Sequence, residues 1–286
     1  MLRTCIRFYK NVPVRNIWDE DNFKWWICAV DVIEALGISV APRNYWSNLK
    51  NKNLQLALEC SQLMLNGKDG KKRKVDVLDD EGVKTLVSIL PYNKSGGIVY
   101  WVKMLGVTPA ERSRFKAYSL FENGIINDIE VGTLEGLKQI HAYIFGGLCD
   151  FAGEIRQTNI SKNGFDFTSI DYLEYALEEI EQMRENDLEN ILKKYIEMNN
   201  AHPFIDGSCR ATRIWLDIML RKNLSKCVDW SLIGKTEYLD AMKQSASDFS
   251  KIYSLIENAL TDKVADLETY MKGIDYSYHY AEHEEE

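Results

Sequence analysis

Between positions 202 and 213 the chain reads His202-Pro203-Phe204-Ile205-Asp206-Gly207-Ser208-Cys209-Arg210-Ala211-Thr212-Arg213. An imidazole, a carboxylate, a run of small residues and two guanidinium groups fall within one short segment. That combination suits phosphoryl chemistry. Small residues at 207–209 let backbone N–H groups approach phosphate oxygens, and the N-terminus of a following helix adds a positive dipole end. Asp206 is a candidate to hold Mg²⁺ beside phosphate oxygens. The guanidinium of Arg210 or Arg213 matches phosphate geometry bidentately. His202 is the one group of the segment whose ordinary pKa suits a general base near neutrality.

Helices must carry this segment. Apolar residues recur at helical spacing over Thr133–Phe145, Asp171–Met183, Leu188–Met198 and Arg213–Leu220, and again over Tyr253–Leu260 and Val264–Met271. The exception is Gly153–Phe165, whose alternating runs and turn residues predict a β-hairpin projecting from a helical body. The first part of the chain reads differently. One alternating strand over Ile6–Val14 pairs in expectation with a second over Phe23–Ile27, and a helix follows over Ala29–Leu36, stopped by Gly37. A short helix from Pro42, a basic turn at 67–74 feeding the strand Val75–Leu78, a helix over Glu81–Leu90 capped by Asp79 or Asp80, and a helix at 98–105 complete that module. Trp25, Trp26 and Trp46 are expected in its core. The fold class read from these patterns is mainly α: an α+β module over 1–110, a linker over 111–132, an all-α domain with a β-hairpin over 133–280, and an acidic tail over 281–286.

The 286 residues include 45% hydrophobic and 11% aromatic types, which excludes intrinsic disorder. No apolar run approaches the roughly 20 residues of a membrane span, and the N-terminus shows no signal-peptide core, so a cytoplasmic protein without a membrane partner is expected. Six cysteines with no CxxC pair argue against zinc or a disulfide framework. The formal charge of −8 is unevenly spread. Residues 1–116 carry 19 Lys and Arg against 12 Asp and Glu, whereas residues 117–286 carry 16 against 31. Two modules with different partners are implied.

The segment 202–213 resembles the Fic motif, HxFx(D/E)GNGRxxR, with His202, Phe204, Asp206, Gly207, Arg210 and Arg213 matching. Leu134–His141 with Ile144-Phe145 resembles the family's helix before the flap, Phe151–Phe165 its target-docking flap, and Val228-Asp229-Trp230 with Tyr238–Met242 the segment after the motif helix. The resemblance covers about residues 130–280. It implies a protein adenylyltransferase that moves AMP from ATP to a Ser, Thr or Tyr hydroxyl of a target protein with Mg²⁺. Carried over, His202 deprotonates the hydroxyl, Asp206 positions Mg²⁺, residues Gly207, Ser208 and Cys209 form the anion nest, and Arg210 and Arg213 neutralise the phosphates. Ile160, Ser161 and Lys162 pair with an extended target segment, Lys162 also lies toward the nucleotide, and Tyr238 is a candidate neighbour of the adenine.

Two motif positions depart from the family. Ser208 stands for Asn and Cys209 for the second Gly, and loss of one preorganised donor costs roughly 3–4 kcal/mol of transition-state stabilisation at most. A DNA-binding regulator with an inactive Fic domain, or a Fic transferase using another donor, are the rival expectations. The family's inhibitory motif, (S/T)xxxE(G/N), falls in expectation at Ser247–Lys251, where Lys251 replaces the Glu that clamps the second arginine. That autoinhibition is therefore expected to be missing.

The N-terminal module resembles the BRO-N domain of phage antirepressors and the N-terminal region of DNA-damage-inducible protein D. The match lies in Trp26-Ile27 with Val30-Asp31-Val32, in Pro42–Trp46 with Leu49-Lys50, and in the hairpin Gly67–Asp79. It implies a module that binds DNA or a phage-type partner, an expectation that the basic run Lys71–Lys74 accommodates.

Overall fold

Lys10 and Asn11 both adopt positive φ, 48° and 64°, and turn the chain back between β1 (Leu2–Tyr9) and β2 (Val12–Asp19). A two-residue turn of that hand matches the twist of paired strands. The single strand expected over Ile6–Val14 is thus two strands, because a turn without glycine leaves only Asn11 as its cue. The structure, a computed structural model, describes residues 2–67, 71–91, 97–162 and 164–281. Its described residues divide into two units, 2–111 and 112–281.

In the first unit β3 (Lys24–Cys28), β4 (Ser61–Asn66) and β5 (Lys72–Leu78) complete an antiparallel sheet of order β1-β2-β3-β5-β4. Helices α1 (Ala29–Ala35), α2 (Pro42–Lys52), α3 (Leu54–Glu59), α4 (Asp80–Ser88) and α5 (Ile98–Met104) accompany it. Asp79 caps α4 by accepting from Gly82 N–H. Ile17, Cys28, Leu65 and Val77 form a core cluster against which Trp26 and Val30 pack. Trp25 and Trp46 are buried, while Trp26 is half-buried beneath the Lys24 ammonium. Arg15 ties three elements: its guanidinium donates to both Asp31 oxygens at 2.7 Å and to the Asn66 carbonyl at 2.9 Å. Lys72, Arg73 and Lys74 are exposed on β5, and Lys68, Asp69 and Gly70 of the basic turn lie outside the described residues.

The linker expected over 111–132 is replaced by α6 (Pro109–Glu122) and a 3-10 turn over Ile125–Asp128. Polar residues hid this helix, because Ser113 and Arg114 are buried on it. Ser113 pairs with the Tyr278 hydroxyl at 2.6 Å, and Arg114 lies over the Tyr278 ring.

The second unit is built around α10 (Ser208–Leu224), buried from Ala211 to Leu220 without a polar face. It begins five residues before the expected Arg213, since residues 208–212 lack the apolar period yet are helical. Around it lie α7 (Leu134–Phe145), α8 (Ile170–Glu181), α9 (Leu188–Ala201), α11 (Lys235–Gln244), α12 (Phe249–Asn258) and α13 (Leu267–Ala281). Trp215 at the middle of α10 is fully buried and donates to the Thr133 carbonyl at 3.0 Å. Helix α13 is pinned by tyrosines: Tyr270 donates to the Ala117 carbonyl and Tyr280 to those of Trp230 and Ile233. A small strand pair absent from the sequence reading joins β8 (Cys227–Val228) to β9 (Leu260–Thr261).

The hairpin expected over Gly153–Phe165 is shorter and displaced toward the C-terminus, pairing β6 (Ser161–Lys162) with β7 (Phe165–Asp166). Asn163 and residues 282–286 of the acidic tail lie outside the described residues. All six cysteines are free, and no described helix is long and apolar enough to cross a membrane.

The Arg15–Asp31 pair supplies a test of the first unit. Asp31→Ala leaves a guanidinium without its carboxylate and should cost about 3 kcal/mol. Urea unfolding of the full chain, followed by tryptophan fluorescence, should show the loss; an unchanged first transition would contradict it.

Candidate active site

Helix α9 starts at Asp187, whose side chain accepts from Asn190 N–H at 2.8 Å, and stops at His202. His202 takes a left-handed conformation, φ 48°, its N–H still bonded to the Met198 carbonyl at 3.1 Å. A non-glycine residue there costs roughly 1–2 kcal/mol, so something must hold it. Arg156, 1% exposed, does so through main-chain carbonyls alone. Its side chain donates to His202 O at 2.9 Å, Ala201 O at 3.2 Å, Thr158 O at 2.6 Å and Thr168 O, and its own N–H donates to Pro203 O at 2.8 Å. It is at once the C-terminal cap of α9 and the anchor of the chain leading into the hairpin.

The His202 ring is buried and stacks on Phe167 with centroids 3.9 Å apart. Its Nδ1 lies 4.0 Å from the Cys209 sulfur. Burial, then the positive charges of Lys162 and Arg156, push its pKa down to about 4, so the ring is neutral at physiological pH. Four residues on, Asp206 exposes 68% of its side chain and pairs with Arg210 at 2.8 Å. Burial opposes its ionisation, but Arg210, the Gly207 amide and Lys162 hold the carboxyl below the usual range. Arg210 in turn lies over the Phe145 and Tyr278 rings.

Gly207 closes the loop and starts α10 with φ 80°. A Cβ there would stand 2.3 Å from the Phe145 ring, so both the backbone and the space require glycine. The Ser208 hydroxyl turns inward: it accepts from Phe204 N–H at 2.9 Å and donates to Phe204 O at 3.1 Å. The Ser208 side chain, 1% exposed, is therefore not available to a phosphate, in keeping with a motif position that has exchanged its Asn donor for Ser. Only the backbone of Gly207-Ser208-Cys209 can serve as a nest.

Arg213 also differs from expectation. It is 3% exposed and donates from Nε to the Ser277 hydroxyl at 2.7 Å, from Nη2 to the Ser277 carbonyl at 2.6 Å and from Nη1 to the Tyr238 hydroxyl at 3.3 Å. Its guanidinium fastens α13 rather than facing the loop. Tyr238, expected beside adenine, is 2% exposed, bonds the Tyr195 hydroxyl and stacks on Tyr280. It is a core residue. Lys251, expected at the lost inhibitory position, is exposed on α12 and donates to Gln244, whereas Arg213 is held by Ser277 and Tyr238. Ser161 and Lys162 are exposed on the short hairpin, with Ile160 half-buried beside them.

The structure thus brings His202, Asp206, Gly207, Cys209 and Arg210 together and leaves Arg213 and Tyr238 in the interior. Sequence reading missed Arg156, Phe167 and His141, which are the residues gripping the loop from outside the motif. His141 and Arg156 lie in the stretches 134–141 and 151–165 that resemble the family, whereas Phe167 carries no such signal; the resemblance gives none of the three a role, since each acts through main chain or ring stacking.

Residues 132–220 match the Fic/DOC family. The chain carries a Fic domain. It is 28% identical over 185 residues to protein adenylyltransferase VbhT of Bartonella schoenbuchensis, covering 58% of this chain and 38% of that one. It is 25% identical over 174 residues to the probable protein adenylyltransferase Fic of Salmonella typhimurium, covering 55% and 86%. The chain therefore spans well under half the length of VbhT. Among solved structures, BepC of Bartonella tribocorum with bound AMPPNP aligns at TM-score 0.46 and 17% identity, over 54% of this chain and 86% of that one. The Fic domain begins two residues before Leu134 of α7 and ends inside α10, and so contains His141, Arg156 and the loop.

The two arginines should separate experimentally. Arg213→Ala removes a buried guanidinium from Ser277 and Tyr238 and should cost about 3 kcal/mol; Arg210→Ala, whose 11% exposed guanidinium loses the exposed Asp206 carboxylate and its ring contacts, should cost about 1 kcal/mol and lower the midpoint less. Thermal denaturation of both variants checks this, and equal midpoints would contradict the assignment.

Proposed function

We propose that the Fic domain transfers AMP from ATP to a Ser, Thr or Tyr hydroxyl of a partner protein. The observation that carries this reading is one loop, at the head of α10, presenting a neutral imidazole and an ionised carboxylate paired with a guanidinium. The adenylyltransferase names of its relatives agree with it.

In this reading the nucleotide phosphates lie against the N–H groups at the start of α10, where the helix dipole favours them. Arg210 offers its remaining donors to a phosphate oxygen. His202 takes the proton of the incoming hydroxyl, whose oxygen attacks the α-phosphorus; the bond from that phosphorus to the bridging oxygen breaks and pyrophosphate leaves. The exposed edge at Ser161 and Lys162 aligns the target as an added strand.

Among the described residues no group of three or more His, Cys, Asp or Glu forms a metal cage. A single ionised carboxylate fits a Mg²⁺ that arrives with phosphates, because that ion is commonly bound through one or two carboxylates plus substrate oxygens. Asp206 would hold it, and the ion would supply neutralisation of phosphate charge.

A second reading, a slow or inactive domain, has its own support: Arg213 and the Ser208 hydroxyl are both committed to internal bonds. Intact mass of the full chain and of candidate targets, incubated with ATP and Mg²⁺, decides between them. A gain of one AMP that disappears in His202→Ala is the expected outcome. No gain with ATP or another nucleotide favours the inactive reading. The pH dependence follows from the lowered pKa: the neutral ring persists down to about 4, so the acid limb of the rate should lie near that pH. A limb near the unperturbed value of about 6.5 would contradict the buried environment.

For the first unit the proposal is a BRO-N-like partner-selecting role, supported by exposed Arg43 and Lys52 on α2 and Lys72, Arg73 and Lys74 on β5. A mobility-shift titration on duplex DNA should give a complex that weakens steeply with salt. A salt-independent shift, or none at low salt, would remove nucleic acid as the partner.

A further inference from the structure

His141 lies on α7 within its apolar stripe, fully buried. Its Nδ1 is 2.8 Å from the Gly153 N–H, and its Nε2 is 2.9 Å from the Asp206 carbonyl oxygen. The first neighbour can only donate and the second can only accept. The pair therefore fixes a neutral ring with its proton on Nε2. The ring also stacks on Phe204, centroids 3.8 Å apart and planes within 15°. Gly153 approaches closely enough to make its bond because it has φ 83° and no Cβ, which would meet Ala142 at 2.8 Å.

One imidazole thus holds two stretches of chain that are 53 positions apart, Gly153 on the approach to the hairpin and the residue bearing the candidate Mg²⁺ carboxylate. We propose that His141 is a positioning residue of this site: it orients the Asp206 main chain, and with it the direction of the Asp206 carboxylate, while tying the approach to the hairpin to the same ring. The role rests on the adenylyltransferase reading. It does not touch substrate. Its effect passes through a carbonyl oxygen, as outer-shell hydrogen bonds orient a ligating group.

The two bonds can be removed separately. In His141→Gln the distal amide nitrogen can replace Nε2 toward Asp206, while the Gly153 bond is lost. In His141→Asn the amide oxygen can replace Nδ1 toward Gly153, while the Asp206 bond is lost. His141→Phe keeps the stack on Phe204 and loses both. Calorimetric titration of the full chain with Mg²⁺ and a nonhydrolysable ATP analogue should show affinity lowered roughly 10- to 100-fold in Phe and Asn, with Gln within a few-fold of wild type. The unfolding midpoints should not follow that order, since Gln and Asn each lose one bond. Equal affinities across the series, or Gln as weak as Phe, would overturn the proposal.

Failure of the parent reading looks different. If the wild-type chain takes up no Mg²⁺-nucleotide, the adenylyltransferase assignment falls, and the positioning claim is read without ligand. The Asp206 carbonyl ¹³C resonance should shift in Phe and Asn but not in Gln. The Gly153 amide should exchange faster in Phe and Gln but not in Asn. Resonances and exchange rates unchanged throughout would remove the clasp itself.

Discussion

The loop from His202 to Gly207 is held through its main chain, and the rest of the site depends on that. Arg156 takes the His202 carbonyl and His141 takes the Asp206 carbonyl, each from a buried position. Leaving such a carbonyl unpaired costs about 1–3 kcal/mol, so both grips constrain conformation strongly. Because the bonds run to backbone, the imidazole and carboxylate side chains stay available. The same arrangement explains how a left-handed histidine is tolerated: the strain is local, and the cap on α9 opposes it.

The charges around the loop then fall into two classes. Asp206 and Lys162 are exposed, Arg210 is half-buried beside them, and the two cations keep Asp206 ionised. Arg156 and Arg213 are interior cations whose acceptors are carbonyls and hydroxyls rather than carboxylates. Arg210 and Arg213 lie one turn apart on the same side of α10 and both meet α13, Arg210 over the Tyr278 ring beside Phe145 and Arg213 on Ser277. Ser208 serves the loop by bonding both polar groups of Phe204. The thiol of Cys209 fills the space beside the imidazole that a second glycine would leave open.

Much of this was legible in the chain. The helices at 134–145, 170–181 and 188–201 follow their apolar period closely, and the motif located the loop. What period cannot show is which way a polar residue faces. Arg213 and Tyr238 carry the motif and the aromatic character expected of ligand contacts, yet their hydroxyl and guanidinium bonds lie in the core. Helix α6 has the composition of a linker for the mirror-image reason, since Ser113 and Arg114 are polar and buried. The turn at Lys10-Asn11 escaped because its positive φ values need no glycine. The hairpin was shortened by Arg156, whose donors occupy the carbonyls of Thr158 and Thr168 on either side of it.

The most direct test of the account is a crystal structure of the full chain with Mg²⁺ and a nonhydrolysable ATP analogue. Phosphates on the amides of residues 207–210, with the His202–Arg156 and Asp206–His141 bonds intact and Arg213 still on Ser277, is the result this account predicts. A nucleotide bound elsewhere, or one that reaches the loop only after Arg156 or His141 has released its carbonyl, would contradict it.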